Sequence, residues 1–179
     1  MQALVSLLES TASSQVQSLW QKLEERCGLR GIKSTPYPHF SWVVAEEYDG
    51  DGMDTALDAI THSASPFTIQ TSGLGLFTGL EPIIYIVIAK DQRLLEFHKV
   101  IWENTKNLGR GVNQYYMPDT WIPHVTLAHS DVDRDTLLCA MEELGFLSLN
   151  WEIEIDNLAL VGQAGNEVGT LIKRFDFKG

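Results

Sequence analysis

Two short segments of this 179-residue chain are nearly the same and carry side chains suited to acid–base chemistry. Residues 38–42 read PHFSW and residues 123–127 read PHVTL. Both are rich in aromatic and β-branched residues, which favours a strand, and on a strand positions i and i+2 face the same way. The side chains predicted to share a face are His39 with Ser41, and His124 with Thr126.

Two imidazoles and two hydroxyls form a set that can act on a phosphodiester. An ordinary imidazole titrates near neutral pH, so one histidine can take a proton from water while the other gives a proton to the leaving oxygen. The hydroxyls can donate hydrogen bonds to a phosphate held between the rings. The alternative is that both histidines are packed strand residues, which leaves the repetition of the pattern unexplained.

The elements that must position these segments follow from apolar spacing and turn residues. Apolar residues at spacings of three and four over residues 3–27, with Gly28 beyond them, predict one or two amphipathic helices. The order strand, helix, strand, strand is then predicted twice. The predicted helices cover 51–62, 91–108 and 133–144, and the predicted strands cover 37–48, 67–77, 82–89, 121–130, 150–161 and 169–177.

A change of alternation supports an internal duplication. Phe67 and Ile69 alternate on odd positions before Leu74 and Leu76 take over on even ones, and the same change recurs 84 positions later, around Ile155. A bulge or bend in each copy would explain the change. We therefore predict an α+β fold, bilobal, with two strand-helix-strand-strand halves related by a pseudo-twofold axis and mainly antiparallel sheets around a central cleft. The predicted parts of this single domain, 1–179, are an N-terminal helical segment 1–30, a first repeat 35–90, a connecting helix 91–108 and a second repeat 121–177.

The two His-x-Ser/Thr motifs, each in such a half, resemble those of the 2H phosphoesterase superfamily. WIPHVTLAH in particular is similar to its 2′-5′ RNA ligase-like and cyclic nucleotide phosphodiesterase branches, and the resemblance covers about residues 35–177. It implies a cleft holding both histidines and metal-independent hydrolysis of 2′,3′-cyclic phosphates or 2′-5′ linkages, or ligation in reverse. Carried over, His39 and His124 become catalytic, and Ser41 and Thr126 bind the phosphate. The first motif departs from the family, since it has Ser where Thr is commoner and Trp where an aliphatic residue is.

Four residues of the segment 110–121, which covers most of an irregular stretch (109–120) and the first residue of the next predicted strand, are candidates for further substrate contacts. Arg110 could approach a phosphate, and aromatic rings stack on bases with little sequence preference. The alternative for each is a loop residue that covers the junction between the lobes. The candidates are Arg110, Tyr115, Tyr116 and Trp121.

The other three histidines have simpler interpretations. His129 is an odd number of positions from His124, which predicts the opposite face of a regular strand and places it outside the site. His98 lies on the apolar stripe of a helix, as a buried and hydrogen-bonded core histidine would. His62 ends a helix, where a favourable interaction with the helix dipole is sufficient explanation.

Two other hydrolytic mechanisms are less consistent with the sequence. A metal site needs three or four converging ligands in a recognisable layout, and none is visible, so no metal or cofactor is predicted. A Ser-His-acid hydrolase is conceivable through Ser41 or Ser130, but no GxSxG segment occurs and the doubled histidine would have no role.

Composition limits the partners. The formal net charge of −11 would repel a nucleic-acid duplex, so a nucleotide, short oligonucleotide or RNA terminus is the expected substrate. A module that only binds such a ligand is the alternative. Cys27 and Cys139 match no zinc or redox spacing and are predicted to be reduced thiols, which together with the lack of a signal or membrane segment predicts a cytoplasmic protein. The sequence does not decide oligomeric state, and a monomer is expected.

Overall fold

Helices are interspersed with strands along the described chain, and several strands follow one another directly. Within residues 1–164 and 167–179, which are the residues that this computed structural model describes, there are four α-helices, ten strands and two short 3-10 turns. The helices are α1 (Ser10–Cys27), α2 (Gly50–Ser63), α3 (Gln92–Thr105) and α4 (Arg134–Leu144). The strands are β1 (Gln2–Leu7), β2 (His39–Ala45), β3 (Glu47–Tyr48), β4 (Phe67–Phe77), β5 (Ile83–Ile88), β6 (Gly109–Arg110), β7 (His124–Ala128), β8 (Glu152–Ile155), β9 (Asn157–Ala164) and β10 (Glu167–Asp176). The 3-10 turns are Gly31–Ser34 and Gln114–Tyr116.

Eight strands form one antiparallel sheet in the order β10-β9-β1-β2-β7-β5-β4-β8, and β3 pairs separately with β6. Only Asp156 separates β8 from β9 along the chain, yet these strands stand near opposite ends of the order. The sheet must therefore curl until its ends meet. The predicted α+β class with mainly antiparallel pairing is confirmed.

The helices form where capping residues and apolar stripes coincide. The carboxylate of Glu9 accepts from the first backbone N–H groups of α1, and Asp91 and Asp133 do the same for α3 and α4. Gly28 ends α1 in the left-handed conformation, with φ of 76°, which glycine adopts without steric cost. The buried residues of α2 include Met53, Leu57 and Ile60, which are spaced three and four positions apart as on one face of a helix. These stripes cover one face of the sheet and form the main core.

The first strand was not predicted. Gln2–Leu7 forms β1, so the helical interpretation of residues 3–27 is wrong for this part and correct for α1. Leu4 belongs to the main core, whereas Val5 faces a second apolar cluster with Ala159 and Val161. A strand buried on both faces is apolar at nearly every position, and such a run cannot be distinguished from a helix by periodicity.

The position of β1 refines the predicted duplication. β1 pairs with β2 so that Leu7 lies across from His39, and β5 pairs with β7 so that Val87 lies across from His124. The backbone N–H of Leu8 donates to the carbonyl of Pro38, and that of Ile88 donates to Pro123, at 3.0 and 3.1 Å. β1 is thus the counterpart of β5, and the pairing places the boundary between the repeats before β5 rather than after it.

Two residue pairs lie on the pseudo-twofold axis. Phe40 pairs with Val125 where β2 meets β7, and Ile69 pairs with Ile153 where β4 meets β8. The members of each pair are also counterparts in the two repeats. The predicted change of alternation is a register shift between Thr71 and Leu74 in the first copy and the break between β8 and β9 in the second.

The cysteines are paired with each other. Cys27 at the end of α1 forms a disulfide with Cys139 on α4, across a sequence separation of 112. The prediction of reduced thiols is wrong because α1 packs against α4, a contact that cysteine spacing does not reveal. The cytoplasmic location loses this support and stays a prediction. None of the described helices combines the length and apolar character that crossing a membrane requires.

Candidate active site

The two predicted motifs lie side by side at the centre of the sheet. Phe40 and Val125 are each 1% exposed and point into the main core. Alternation along each strand turns the four motif side chains to the opposite face, where all of them are half-buried: His39, Ser41, His124 and Thr126. The antiparallel register sets these side chains across from each other in two pairs. The pairs are His39 with Thr126, and His124 with Ser41.

This register brings the two imidazoles together although they are 85 positions apart in the sequence. His39 and His124 are diagonal neighbours across the pair of strands, an arrangement that in a regular sheet sets residues about 7–8 Å apart with their Cβ atoms somewhat closer. The charge of His124 also contributes to lowering the pKa of His39, as expected of two imidazoles at short range.

Each imidazole is oriented by the same backbone contact. Nδ1 of His39 lies 2.6 Å from the carbonyl oxygen of Tyr37, and Nδ1 of His124 lies 2.7 Å from that of Ile122. A carbonyl can only accept, so Nδ1 carries the proton and donates, which leaves Nε2 to exchange protons with a substrate. A proline separates the two residues of each contact and holds the preceding residue extended. This explains why both motifs begin with Pro-His.

A tryptophan holds the hydroxyl residue of each motif. Nε1 of Trp121 donates to the carbonyl oxygen of Ser41 at 3.0 Å, and Nε1 of Trp20 donates to that of Thr126 at 3.1 Å. The two acceptor carbonyls are counterparts in the repeats, whereas the two donors come from different elements, since Trp20 lies on α1 and Trp121 in the loop before β7. Neither positioning contact was predicted, because each bond joins residues about half a chain or more apart.

The burial of Trp121 contradicts one predicted site residue. Its ring is 1% exposed and stacks on His98 with centroids 3.8 Å apart and on Trp42 at 5.3 Å. A ring enclosed in the core cannot stack on a base, so the substrate contact predicted for Trp121 is withdrawn. The prediction for His98 is confirmed, since it is fully buried and its Nε2 lies 3.0 Å from the carbonyl of Trp42.

The remaining predicted contacts lie on a segment that runs beside β2, with Arg110 next to Glu46 and Tyr116 next to Ser41. Arg110 lies on β6 and forms ion pairs with Glu46 and Glu47, so its charge is already partly balanced. Tyr115 is 80% exposed. Tyr116 is half-buried beside Ser41; burial raises the pKa of its phenol, and a hydrogen bond with the Ser41 side chain partly offsets that rise.

Burial lowers the pKa of both motif histidines. For His39 the carbonyl of Tyr37 opposes this effect, while the imidazoles of His124 and His129 lower the pKa further. For His124 only the carbonyl of Ile122 is a further influence, and it raises the pKa. Both rings are therefore easily neutral near neutral pH, and either can begin a reaction as the proton acceptor.

His129 acts on the site although strand alternation predicts the opposite face. After burial and the charge of His124, the charge of His129 is a smaller contribution to the lowered pKa of His39. β7 ends at Ala128, so alternation no longer applies, and Ser130 turns the backbone with φ of 69°. The hydroxyl of Ser130 contacts Nδ1 of His129 at 2.6 Å. The left-handed residue two positions after the end of the strand is a local feature that the sequence did not signal, since it is not glycine.

Aromatic residues surround His124. The Phe77 ring lies 5.0 Å from His124 in an edge-to-face arrangement, and the Tyr85 ring lies at 4.9 Å. Both come from the β4–β5 hairpin, which the sequence predicted without indicating that it would pack beside the second motif. No group of three or more His, Cys, Asp or Glu side chains suited to a metal ion occurs among the described residues.

Comparison with known proteins supports the resemblance seen in the motifs. The family model of the 2′-5′ RNA ligase superfamily matches residues 9–167. No significant match was found among curated protein sequences. Among solved structures, TT0787 of Thermus thermophilus superposes with a TM-score of 0.68 at 15% identity, covering 99% of this chain and 98% of the other.

Two further structures share the fold. Escherichia coli LigT, crystallised with 3′-AMP, gives a TM-score of 0.63 at 14% identity, covering 99% of this chain and 98% of its own. Usb1 of Kluyveromyces marxianus gives 0.52 at 9% identity, covering 98% and 97%. The family match spans most of the sequence and includes both motifs. The chain belongs to the 2′-5′ RNA ligase superfamily, whose members are two-histidine (2H) phosphoesterases.

Proposed function

We propose that this protein is a metal-independent phosphodiesterase that opens the 2′,3′-cyclic phosphate of a nucleotide or RNA end, or cleaves a 2′-5′ linkage. The observation that carries the proposal is the matched orientation of His39 and His124, each with Nδ1 bound to a carbonyl and Nε2 left for proton transfer. Ligation at a 2′-5′ junction would be the same reaction in reverse. The complex of LigT with 3′-AMP supports a nucleotide as the kind of ligand.

In the proposed hydrolysis, one imidazole removes a proton from water as the water oxygen bonds to phosphorus. The bond from phosphorus to the ribose 2′ or 3′ oxygen breaks, and the other imidazole protonates that oxygen. We assign His124 as base and His39 as acid, an assignment that the near-symmetry of the pair allows to be exchanged. The two rings would titrate as a coupled pair, so a pH profile reports the pair and not one residue.

Ser41 and Thr126 would bind the non-bridging phosphate oxygens. A hydrogen bond to a charged group contributes about 1.5–3 kcal/mol, so each hydroxyl accounts for roughly a 10- to 150-fold change in rate or affinity. Removal of the hydroxyl with the strand kept, as in Ser41→Ala or Thr126→Val, is expected to lower kcat/KM by that factor.

Hydrolysis of 2′,3′-cyclic AMP in the presence of a chelator tests the proposal. The expected result is turnover with a bell-shaped pH profile, lowered about 10²- to 10⁴-fold by His39→Ala and by His124→Ala. His62→Ala is the matched control, since His62 is exposed at the end of α2 and outside the site. Retention of the rate in both motif variants would reject the mechanism, and loss of activity with the chelator would reject metal independence. Saturable binding of nucleotides without any turnover would identify a binding module.

A further inference from the structure

The Tyr85 ring occupies space that a side chain on Gly75 would otherwise fill. Tyr85 pairs with Gly75 on β4 on one side and with Thr126 on β7 on the other. A Cβ on Gly75 would lie 2.2 Å from Cε2 and 2.4 Å from Cζ of Tyr85, closer than real atoms approach. The φ of Gly75 is not in the left-handed region, so its backbone does not require glycine. Gly75 instead provides the space in which the Tyr85 ring lies across β4.

From this position Tyr85 contacts two further rings. Its centroid lies 4.2 Å from that of Phe77 and 4.9 Å from that of His124, and Phe77 meets His124 at 5.0 Å with an interplanar angle of 87°. All three rings therefore contact one another. The Nδ1 bond to Ile122 holds His124 at one atom, while the two aromatic rings limit its rotation about the side-chain bonds.

His39 has different neighbours. The residues across from its motif on β1 are Leu7 and Val5, and the described part of the chain shows no aromatic contact for the His39 ring. The two catalytic candidates therefore share a backbone contact but not this packing. The difference indicates a role specific to His124.

We propose that Phe77 and Tyr85 are positioning residues that fix the orientation of the His124 imidazole, and that Gly75 is required because it lets the Tyr85 ring occupy this position. The consequence for catalysis rests on the proposed function, whereas the packing itself does not. A ring held in one orientation keeps Nε2 aimed at the reacting oxygen, and small misplacements of a catalytic group cost up to about 100-fold in rate.

Kinetics of hydrolysis test the catalytic consequence. Phe77→Leu, Tyr85→Leu and Gly75→Ala are each expected to lower kcat about 10- to 100-fold with little change in KM, since they disturb orientation rather than binding. Tyr85→Phe keeps the ring and is expected to restore most of the rate. The effects of Gly75→Ala and Tyr85→Leu should be less than additive because both act through one ring.

Phe175→Leu is the matched control, since Phe175 is a buried core residue on β10 with no His124 contact. It should lower stability without lowering kcat. Loss of kcat in Phe175→Leu equal to that in Phe77→Leu, or full activity in all three site variants, would overturn the proposal.

NMR of His124 tests the packing independently of turnover. In the wild type we expect nuclear Overhauser contacts from both rings to the imidazole, and in Phe77→Leu we expect the His124 titration midpoint to rise, because removal of an aromatic wall admits water to the ring. Restored solvation favours the charged form. An unchanged His124 signal in Phe77→Leu would overturn the positioning role even in an active enzyme. If the contacts are observed in a protein without turnover, the proposed function fails and the packing stands.

Discussion

The two motifs share the backbone contacts that orient them but differ in their side-chain neighbours. In both, Nδ1 of the histidine binds the carbonyl two residues earlier, and an indole donates to the carbonyl of the hydroxyl residue. His124 then packs against two aromatic rings, whereas His39 experiences the charge of His129. The shared contacts fix direction, while the differing contacts control solvation and charge. The two motifs thus share the orientation of their imidazoles but differ in the groups that surround each ring.

The tryptophans that donate to the two motifs are themselves held in place by different interactions. Trp20, which binds Thr126, lies on α1, and α1 is tied to α4 by the Cys27–Cys139 disulfide. Trp121, which binds Ser41, is instead enclosed in a stack with His98 and Trp42. The helix that carries Trp20 is held by a covalent crosslink, whereas Trp121 is held by packing in the core. This difference can be tested by disturbing each support separately.

Reduction of the disulfide should have the largest effect on stability. A crosslink that closes a loop of this length contributes roughly 3–5 kcal/mol, mainly by restricting the unfolded chain. We expect reduction, or the pair of changes Cys27→Ser and Cys139→Ser, to lower the free energy of unfolding in urea by that amount. The indole N–H of Trp20 should then exchange faster with solvent relative to that of Trp121. A double-serine variant whose stability still falls with reductant would show that the effect lies elsewhere.

Acidification should weaken the support of the first motif. Burial lowers the pKa of His98 from 6.5 to about 4, against the carbonyls of Trp42 and Tyr116. Between pH 6.5 and pH 4 the imidazole of His98 is protonated in the unfolded chain but remains neutral in the folded protein. The free energy of unfolding is therefore highest above pH 6.5 and decreases as the pH falls toward 4. The loss is about 3 kcal/mol at pH 4.

The contribution of His98 can be isolated by substitution. His98→Gln keeps a donor for the Trp42 carbonyl but does not titrate. The fall in unfolding free energy between pH 6.5 and 4 should be shallower in this variant than in the wild type, since the acidic groups are the same in both. Parallel curves would contradict the assigned role of His98.

The two indole contacts should be unequal in stability. Trp20→Phe removes a donor from a partly buried carbonyl, at a cost of about 1 kcal/mol. Trp121→Phe removes the same kind of bond and also disrupts a fully buried stack, at a cost of about 2–4 kcal/mol. Urea unfolding of the two variants measures the difference. Equal losses would show that both tryptophans act only through the hydrogen bond.

The smallest expected effect concerns the charge near His39. His129 lowers the pKa of His39 because its imidazolium opposes a second positive charge nearby. In His129→Asn the pKa of His39 should rise, and that of His124 should change less because no effect of His129 on it is resolved. NMR titration of the ring protons measures both, with His62→Asn as control. A fall in the His39 midpoint would contradict the placement of His129.

Local sequence predicted most elements and the central chemistry. The Pro-His-x-Ser/Thr repetition, the alternation that puts His39 and Ser41 on one face, and the change of parity near Gly73 are all properties of neighbouring residues. Backbone geometry converts such patterns into strands and faces almost without regard to the rest of the fold. For the same reason the helix over α2 was predicted within two residues of its observed ends.

Contacts between distant residues were not available to that reasoning. The strand β1 is apolar on both faces and could be assigned only by its partners β2 and β9. The disulfide, the burial of Trp121 and the approach of His129 to His39 also depend on which elements become neighbours.

The sequence by itself determined that two imidazole and hydroxyl pairs would be presented on strands, because side-chain direction in a strand is a local property. Only the tertiary structure decided that these strands are adjacent, that one imidazole packs against Phe77 and Tyr85, and that the charge of His129 acts on the other. Those outcomes depend on the register and packing of segments far apart in the chain. The burial and the neighbouring charges that result from this packing determine the pKa of each imidazole.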